Sequence, residues 1–234
     1  MTAKKTPSTS DDKGACFICG ETVSNRMAKR HAVKCRAEHP LPTSKQKAEI
    51  FTILVTTPYT SEYRLIIEIA GSKKLETLDD FLRKIWLECC GHLSVFRING
   101  ARYESFTDFE SIFADEKEPQ GMDVKICDVL ALGMSFKHDY DFGSTTSLEL
   151  SVIGIREAME AAPRAPRLIF RNHPPEMKCA ICKKPATRVN SGYNGAYPES
   201  VFCDDCKPED PEYDYGWLPI VNSPRCGVCA YGAD

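Results

Sequence analysis

Runs of apolar residues divide the middle of the chain into short elements. Residues 50–57 and 63–70 are rich in β-branched and aliphatic side chains, and the stretch from Pro58 to Glu62 between them is typical of a turn. This alternation of an apolar run, a turn and a second apolar run predicts a β-hairpin.

The strongest helical pattern extends from Thr77 to Cys89. Apolar side chains recur there at the spacing of one helical face. They are Leu78, Phe81, Leu82, Ile85 and Trp86. We expect Thr77 to cap the start of this helix and Gly91 to end it.

Further strands are predicted on the C-terminal side of this helix. Residues 93–98 precede the hairpin signal Asn99-Gly100, and residues 134–142 and 147–155 form another alternating pair joined near Gly143. Hairpins around one amphipathic helix predict an α+β domain over residues 49–160, in which the helix covers one face of a mainly antiparallel sheet.

The segments outside this domain have a different composition. Residues 1–14 are polar and predict a disordered tail, while residues 39–44 and 161–175 are rich in proline and predict linkers. Two cysteine-containing modules remain, at residues 15–39 and 176–234.

Cysteine content and charge indicate the cellular location of the chain and the kind of ligand that it binds. The chain of 234 residues contains 12 cysteines, and its N-terminus shows no apolar secretory signal, so we expect a reducing, cytoplasmic location with metal ligands rather than disulfides. No run is long enough to cross a membrane. Residues 1–48 hold ten basic and four acidic residues, whereas the whole chain has a net charge of −3, so we expect any polyanion to bind at the N-terminal module.

The N-terminal module has the ligand spacing C-x2-C-x11-H-x3-C. Its residues are Cys16, Cys19, His31 and Cys35. Ser24 can cap a helix that places the last two ligands one turn apart, so that both reach one tetrahedral zinc ion. His39 is an alternative ligand that the spacing leaves open.

Basic residues recur every four positions on this predicted helix. Arg26, Arg30 and Lys34 share a face, with Lys29 and Arg36 nearby, which predicts contact with the phosphates of RNA, for example in a ribosome-like particle, or of DNA. The finger spacing also resembles that of small ubiquitin-binding fingers. Those usually carry Asp where this chain has Val33, so binding to another protein is the alternative.

The C-terminal module has the ligand spacing C-x2-C-x20-C-x2-C, which is close to that of zinc ribbons. Its residues are Cys179, Cys182, Cys203 and Cys206. Four thiolates fill the coordination shell and predict a second structural zinc ion. Acidic residues near the second pair favour a protein partner over a phosphate. They are Asp204, Asp205, Glu209, Asp210, Glu212 and Asp214.

The remaining cysteines are not assigned to a metal. Cys226 and Cys229 form a third C-x2-C pair without a partner pair in sequence, and three readings stay open: packed thiols, exchange with the zinc ligands, or redox chemistry. Packed thiols are favoured. Cys89, Cys90 and Cys127 are expected to be core or helix-end residues.

Two short segments carry a family resemblance. The motif Tyr140-Asp141-Phe142-Gly143, preceded by Asp128-Val129-Leu130, resembles the Ri-plasmid open-reading-frame-three family, whose members are also known as insertion-element passenger proteins. Residues 218–225, LPIVNSPR, and the following Gly227-Val228-Cys229 resemble the C-terminal signature of its zinc-containing prokaryotic branch. The resemblance implies an α+β central domain, zinc and a prokaryotic source, which includes archaea, and it brings no established activity.

Motifs of catalysis are absent from the sequence. It has no phosphate-binding glycine loop, no dinucleotide fingerprint and no H-E-x-x-H, and alternation along a strand would separate His138 from Asp139 and Asp141. We therefore predict a non-enzymatic protein with two structural zinc ions that contacts nucleic acid through its basic finger. The alternative is an adaptor that binds other proteins through its zinc modules and acidic surface.

Overall fold

A large, mainly antiparallel sheet dominates the computed structural model, which describes residues 12–106, 119–160, 163–191, 200–208 and 216–232. Its strands are β1 (Lys13–Cys16), β2 (Thr22–Ser24), β3 (Thr43–Thr56), β4 (Arg64–Ala70), β5 (Ser94–Ile98), β6 (Ala101–Glu104), β7 (Gln120–Gly121), β8 (Ser135–Tyr140), β9 (Thr146–Glu160) and β10 (Arg167–Asn172). The ten strands lie in the order β2-β1-β10-β4-β3-β9-β8-β5-β6-β7. The short β7 pairs in parallel with β6.

Three helices and a smaller sheet complete the described elements. The helices are α1 (Asn25–Glu38), α2 (Leu75–Leu82) and α3 (Ile126–Val129), and a π-helical turn, Arg83–Leu87, continues α2. The smaller sheet consists of β11 (Arg188–Asn190), β12 (Val201–Phe202) and β13 (Trp217–Pro219), with β11 in the middle. No helix within these ranges is long and apolar enough to cross a membrane.

The chain divides into two compact units. Unit 1 comprises Met1–Phe81, Leu93–Asp139 and Ser147–His173, and unit 2 comprises Leu82–His92, Tyr140–Thr146 and Pro174–Asp234. Residues 1–11 of the predicted tail lie outside the described residues.

The predicted hairpins are present in unit 1. β3 pairs with β4 from Ile50↔Ala70 to Thr56↔Arg64, and β8 lies beside β9. Asn99 and Gly100 both have positive φ, 49° and 77°, as a two-residue turn between twisted strands requires.

The main helix differs from its prediction at both ends. It begins at Leu75, before the expected cap Thr77, because the amides of Leu75 and Glu76 donate to backbone carbonyls of residues 124 and 122 and need no capping side chain. Its last turn is π-helical and ends at Leu87, ahead of Gly91.

The prediction of a linker over residues 161–175 is wrong at β10. This strand lies between β1 and β4 in the sheet, and Phe170 is 1% exposed. Prolines occur before and after the strand, but the strand itself contains none. The first predicted linker also ends early, since β3 begins at Thr43.

The N-terminal module is joined to the large sheet through β1. Gly14, Ala15 and Cys16 pair with Asn172, Arg171 and Phe170 of β10. α1 packs on the sheet through two small residues one turn apart, Ala28 and Ala32, which contact an apolar cluster. The cluster also contains Ile66, Ile169 and Phe170. The sheet therefore positions α1 and, with it, the last two ligands of the finger.

Candidate metal centres

The four predicted ligands of the N-terminal finger lie together. Cys16 ends β1, and Cys19 follows in a tight turn in which the amide of Gly20, at φ 79°, donates to the carbonyl oxygen of Cys16. The other two ligands, His31 and Cys35, lie one turn apart on α1. All four ligand atoms are within 4.8 Å of one another.

Individual separations within the finger are short. Cys16 Sγ and Cys35 Sγ are 3.8 Å apart, and Cys19 Sγ lies 3.4 Å from His31 Nε2. Burial, together with the neighbouring sulfurs of Cys19 and Cys16, raises the pKa of Cys35 to about 12. Crowded thiols resist ionisation in this way when no cation is present, so a cation would bind the cluster at the expense of protons.

His39 lies outside this group of four. It follows the last residue of α1, and its Nδ1 is 3.0 Å from the carbonyl oxygen and 3.6 Å from the Sγ of Cys35. The geometry thus selects His31 as the imidazole ligand of the cluster, with His39 beside one of the thiols.

The C-terminal four-cysteine group also comes together, within unit 2. Cys179, Cys182, Cys203 and Cys206 have their sulfur atoms within 4.8 Å of one another, and Cys182 Sγ is 3.6 Å from Cys203 Sγ. Each pair lies in a turn closed by a backbone bond, from Lys183 N to Cys179 O and from Cys206 N to Cys203 O.

Backbone amides favour the thiolate form in this second group. Burial opposes ionisation of Cys179, but hydrogen bonds from the amides of Cys182, Cys203 and Ile181 outweigh it and lower the pKa to about 6. Hydrogen bonding with Cys203 and Cys182 instead raises the pKa of Cys206 to about 12. Without a bound cation, Cys179 therefore ionises more easily than Cys206.

A third cluster, which the spacing of ligands in the sequence does not predict, lies in unit 2. It consists of Cys89, Cys90, His92 and Cys229, whose ligand atoms are all within 4.8 Å of one another. Cys90 Sγ is 3.7 Å from Cys229 Sγ, which in turn is 3.6 Å from His92 Nε2. Within the part of the chain that the structure describes, three clusters could therefore hold a metal ion, whereas two were predicted.

The assignment of the surplus cysteines is corrected accordingly. Cys226 is packed as expected, 7% exposed among Val189, Val201 and Leu218, but Cys229 belongs to the third cluster. Its partners Cys89, Cys90 and His92 are 137 to 140 residues away along the chain, so spacing alone gave no sign of them. The signal in the sequence is a second motif, Cys-Cys-x-His, that also lacked a partner.

The basic residues predicted to bind phosphate fall into two groups. Arg26, Lys29, Arg30 and Lys34 are exposed on α1, and Lys34 Nζ lies 3.5 Å from a carboxylate oxygen of Glu38 on the next turn.

Arg36 lies in a different environment. Its side chain is 12% exposed and pairs at 3.0 Å with the buried carboxylate of Glu68. This carboxylate also has Arg156 at 3.2 Å and Arg167 at 3.7 Å, so Arg36 is part of a buried ion-pair network in unit 1.

Other polar residues singled out in the sequence have separate partners. His138 is fully buried with its Nε2 2.6 Å from Asp79, and Asp139 pairs with Arg97. Asp204 accepts hydrogen bonds from Thr187 and Arg188. Glu209, Asp210, Glu212 and Asp214 lie outside the described residues.

Comparison with known proteins identifies no family. No model of a known protein family matches the chain, and no curated protein matches it. Among solved structures, a protein of unknown function, MM3350 from Methanosarcina mazei Go1, matches with a TM-score of 0.40 and 12% identity, over 50% of this chain and 66% of that one. The resemblance to the Ri-plasmid family stays a prediction.

Proposed function

We propose that the protein is a non-enzymatic zinc-binding protein that contacts the phosphates of RNA or DNA through α1. The observation that carries this proposal is the two-sided character of the helix. Ala28, Ala32 and Cys35 are buried on one side, while Arg26 and Arg30 are exposed on the other. Lys29 and Lys34 extend the exposed cationic surface.

Zinc is the metal that best fits the ligand sets. Thiolates combined with imidazole favour zinc, and sulfur atoms around a tetrahedral zinc ion with bonds of about 2.3 Å lie about 3.8 Å apart. The separations of 3.8 Å between Cys16 and Cys35 and 3.6 Å between Cys182 and Cys203 agree with that value. Four protein ligands leave no open coordination position, which supports a structural role.

The finger ion would hold the cationic surface in place. His31 and Cys35 lie on the same helix as Arg30 and Lys34, so a bound ion ties that helix to the turn at Cys19. Preorganised cations lose less conformational entropy when they meet a polyanion. Arg36, which pairs with Glu68, serves in this proposal as an anchor of α1 to the sheet.

The experiment compares two triple variants that remove the same amount of charge. The test variant carries Arg26→Gln, Arg30→Gln and Lys34→Gln. The control carries Lys84→Gln, Lys137→Gln and Lys178→Gln, which are exposed and outside the finger. Binding to fluorescent single-stranded RNA and duplex DNA is measured by anisotropy between about 50 and 200 mM salt.

We expect the test variant alone to lose affinity and to bind with a shallower salt dependence. Each lost phosphate contact reduces the slope of log K against log salt by about 0.9 on duplex DNA, or about 2.7 for three contacts. The proposal fails if the test variant binds as tightly as the wild type, or no more weakly than the control.

A protein partner is the second candidate, on a specific observation. Phe17 in the knuckle is 58% exposed and Val33 on α1 is 50% exposed, so the finger also presents apolar surface. A partner recovered after nuclease digestion and at high salt, and lost in a variant with Phe17→Ser and Val33→Ser, would favour this candidate over nucleic acid.

A further inference from the structure

We propose that Cys89, Cys90, His92 and Cys229 bind a third zinc ion, which fastens the segment around Cys229 to the segment 82–92. Both segments belong to unit 2. The proposal does not depend on contact between the finger and nucleic acid.

The ligand geometry is that of a tetrahedral site. Cys90 Sγ and Cys229 Sγ are 3.7 Å apart, and a zinc ion bound to both would require about 3.8 Å. Cys229 Sγ and His92 Nε2 are 3.6 Å apart, which agrees with about 3.6 Å for a sulfur and a nitrogen around one zinc ion. These distances match those of the two clusters predicted from sequence.

The backbone holds the ligands in unusual conformations. Cys229 has φ 54°, in the left-handed region that residues with a Cβ atom rarely adopt. Gly91, at φ 73°, turns the chain between Cys90 and His92, and its amide donates to Glu88. Strain of this kind persists where the surroundings or a ligand stabilise it.

A fully buried arginine donates hydrogen bonds to one of the ligands. Arg225 is 0% exposed, and its Nε and one Nη atom each donate to Cys89 Sγ at 3.4 Å. The same side chain forms an ion pair of 2.6 Å with Asp141 and hydrogen bonds with Ser144 O and Thr146. Arg225 thus acts as a positioning residue that orients Cys89.

The charges near the site also favour a divalent cation. Three thiolates carry a net charge of −3, which one Zn²⁺ reduces to −1, and the guanidinium group of Arg225 lies beside one of the three sulfur atoms. Without the metal, three thiols and His92 lie within 4.8 Å of one another. The charged groups nearby include Arg225, its partner Asp141, and Glu88, whose carboxylate accepts from the amide of Gly91. A divalent cation would therefore bind the crowded thiols by displacing their protons.

The two segments that the ion would join already share a hydrogen bond. Ser223 Oγ donates to the carbonyl oxygen of Trp86 at 2.6 Å, across 137 residues of sequence. Turns closed by Cys226 N to Ser223 O and Val228 N to Arg225 O lead the chain from there to Cys229. A metal at the cluster would close this connection with four strong bonds.

Zinc counting on the full-length, reduced protein tests the proposal. Native mass spectrometry should find three zinc ions per chain in the wild type and two in Cys229→Ser. The matched control is Cys127→Ser, which removes an exposed thiol outside all three clusters and should keep three ions. The proposal is overturned by two ions in the wild type with no further loss in Cys229→Ser, by three ions in Cys229→Ser, or by a disulfide between Cys90 and Cys229 that persists in the presence of reductant.

A conservative exchange separates loss of the ion from loss of the fold. His92→Cys offers a fourth thiolate and should keep three ions, whereas His92→Ala should keep two. Equal zinc counts in these two variants would contradict a role for His92 as a ligand.

Thiol reactivity tests the same site without any substitution. Cys90 and Cys127 are both exposed, but only Cys90 belongs to a cluster. In the zinc-saturated wild type, iodoacetamide should modify Cys127 readily and Cys90 only after chelation. Modification of Cys90 as fast as Cys127 in the saturated protein would refute the third site.

Discussion

Replacement of Glu68 by glutamine should destabilise unit 1 more than any comparable surface change. Glu68 lies in β4 and is 1% exposed, with the guanidinium groups of Arg36, Arg156 and Arg167 within 3.0 to 3.7 Å. Glutamine keeps the shape of the side chain but removes the negative charge. Three guanidinium groups would then face one another around a neutral amide.

The size of the effect follows from burial and distance. Two unit charges 3.0 Å apart attract by about 5 kcal/mol at an effective dielectric constant of about 20, and removal of one partner of a buried pair costs about 3–5 kcal/mol. The arginine side chains are 12% to 29% exposed, so they can partly hydrate once the carboxylate is gone. We therefore expect a loss of about 3 kcal/mol, at the lower end of that range.

Thermal unfolding in excess zinc measures this loss. For a chain of this size, about 3 kcal/mol corresponds to a decrease in Tm of about 6–12 °C. The control is Glu157→Gln, since Glu157 pairs with Lys47 while both side chains are more than half exposed, and such a pair contributes at most about 1 kcal/mol. A Tm for Glu68→Gln equal to that of the control would refute the reasoning, and an unchanged zinc content would show that the effect is electrostatic.

Three further outcomes follow from the structure. A Cβ at Gly14 would overlap the ring of Phe170 and the backbone of β10. Gly14→Ala should therefore lower the free energy of unfolding by about 1–3 kcal/mol. It should also weaken zinc retention by the finger, which titration with a chelator measures. Asp79→Ala would leave the buried His138 without its carboxylate partner and should lower the free energy of unfolding by about 2–4 kcal/mol; an effect below about 0.5 kcal/mol in urea denaturation would contradict it. Acidification should release zinc, because protons compete with the metal for thiolates. In the metal-free protein the pKa of Cys179 is lowered to about 6. Its thiolate therefore persists at neutral pH and is lost as the pH falls through that value. Zinc retained in full at pH 4 would contradict this expectation.

Local pattern predicted the central hairpins of the large sheet but not β1, β2 or β7. Alternation and the Asn99-Gly100 turn identified the hairpins, since these signals depend on residues close in sequence. The start of α2 was misplaced because its first amides find acceptors near residue 124, far along the chain. β10 was missed because prolines on both sides of a six-residue strand resemble a linker when the neighbouring strands are unknown.

The candidate metal centres show the same division. Ligands in two C-x2-C pairs, or in a C-x2-C pair followed by H-x3-C, can be recognised in the sequence by their regular spacing. The third cluster instead joins Cys90 to a residue 139 positions away, and only the fold brings them within 3.7 Å. The role of Arg36 was equally hidden, because its partner Glu68 comes from a strand 32 residues further on.

The pairing of β1 with β10 has a consequence for the behaviour of the protein under zinc starvation. If the finger loses its ion and β1 detaches, one side of β10 presents its backbone N–H and C=O groups to solvent, and such an edge recruits strands from other molecules. We then expect self-association through β10 to be the first detectable effect of metal depletion. The finger in this view shields the sheet from aggregation, independently of what α1 binds.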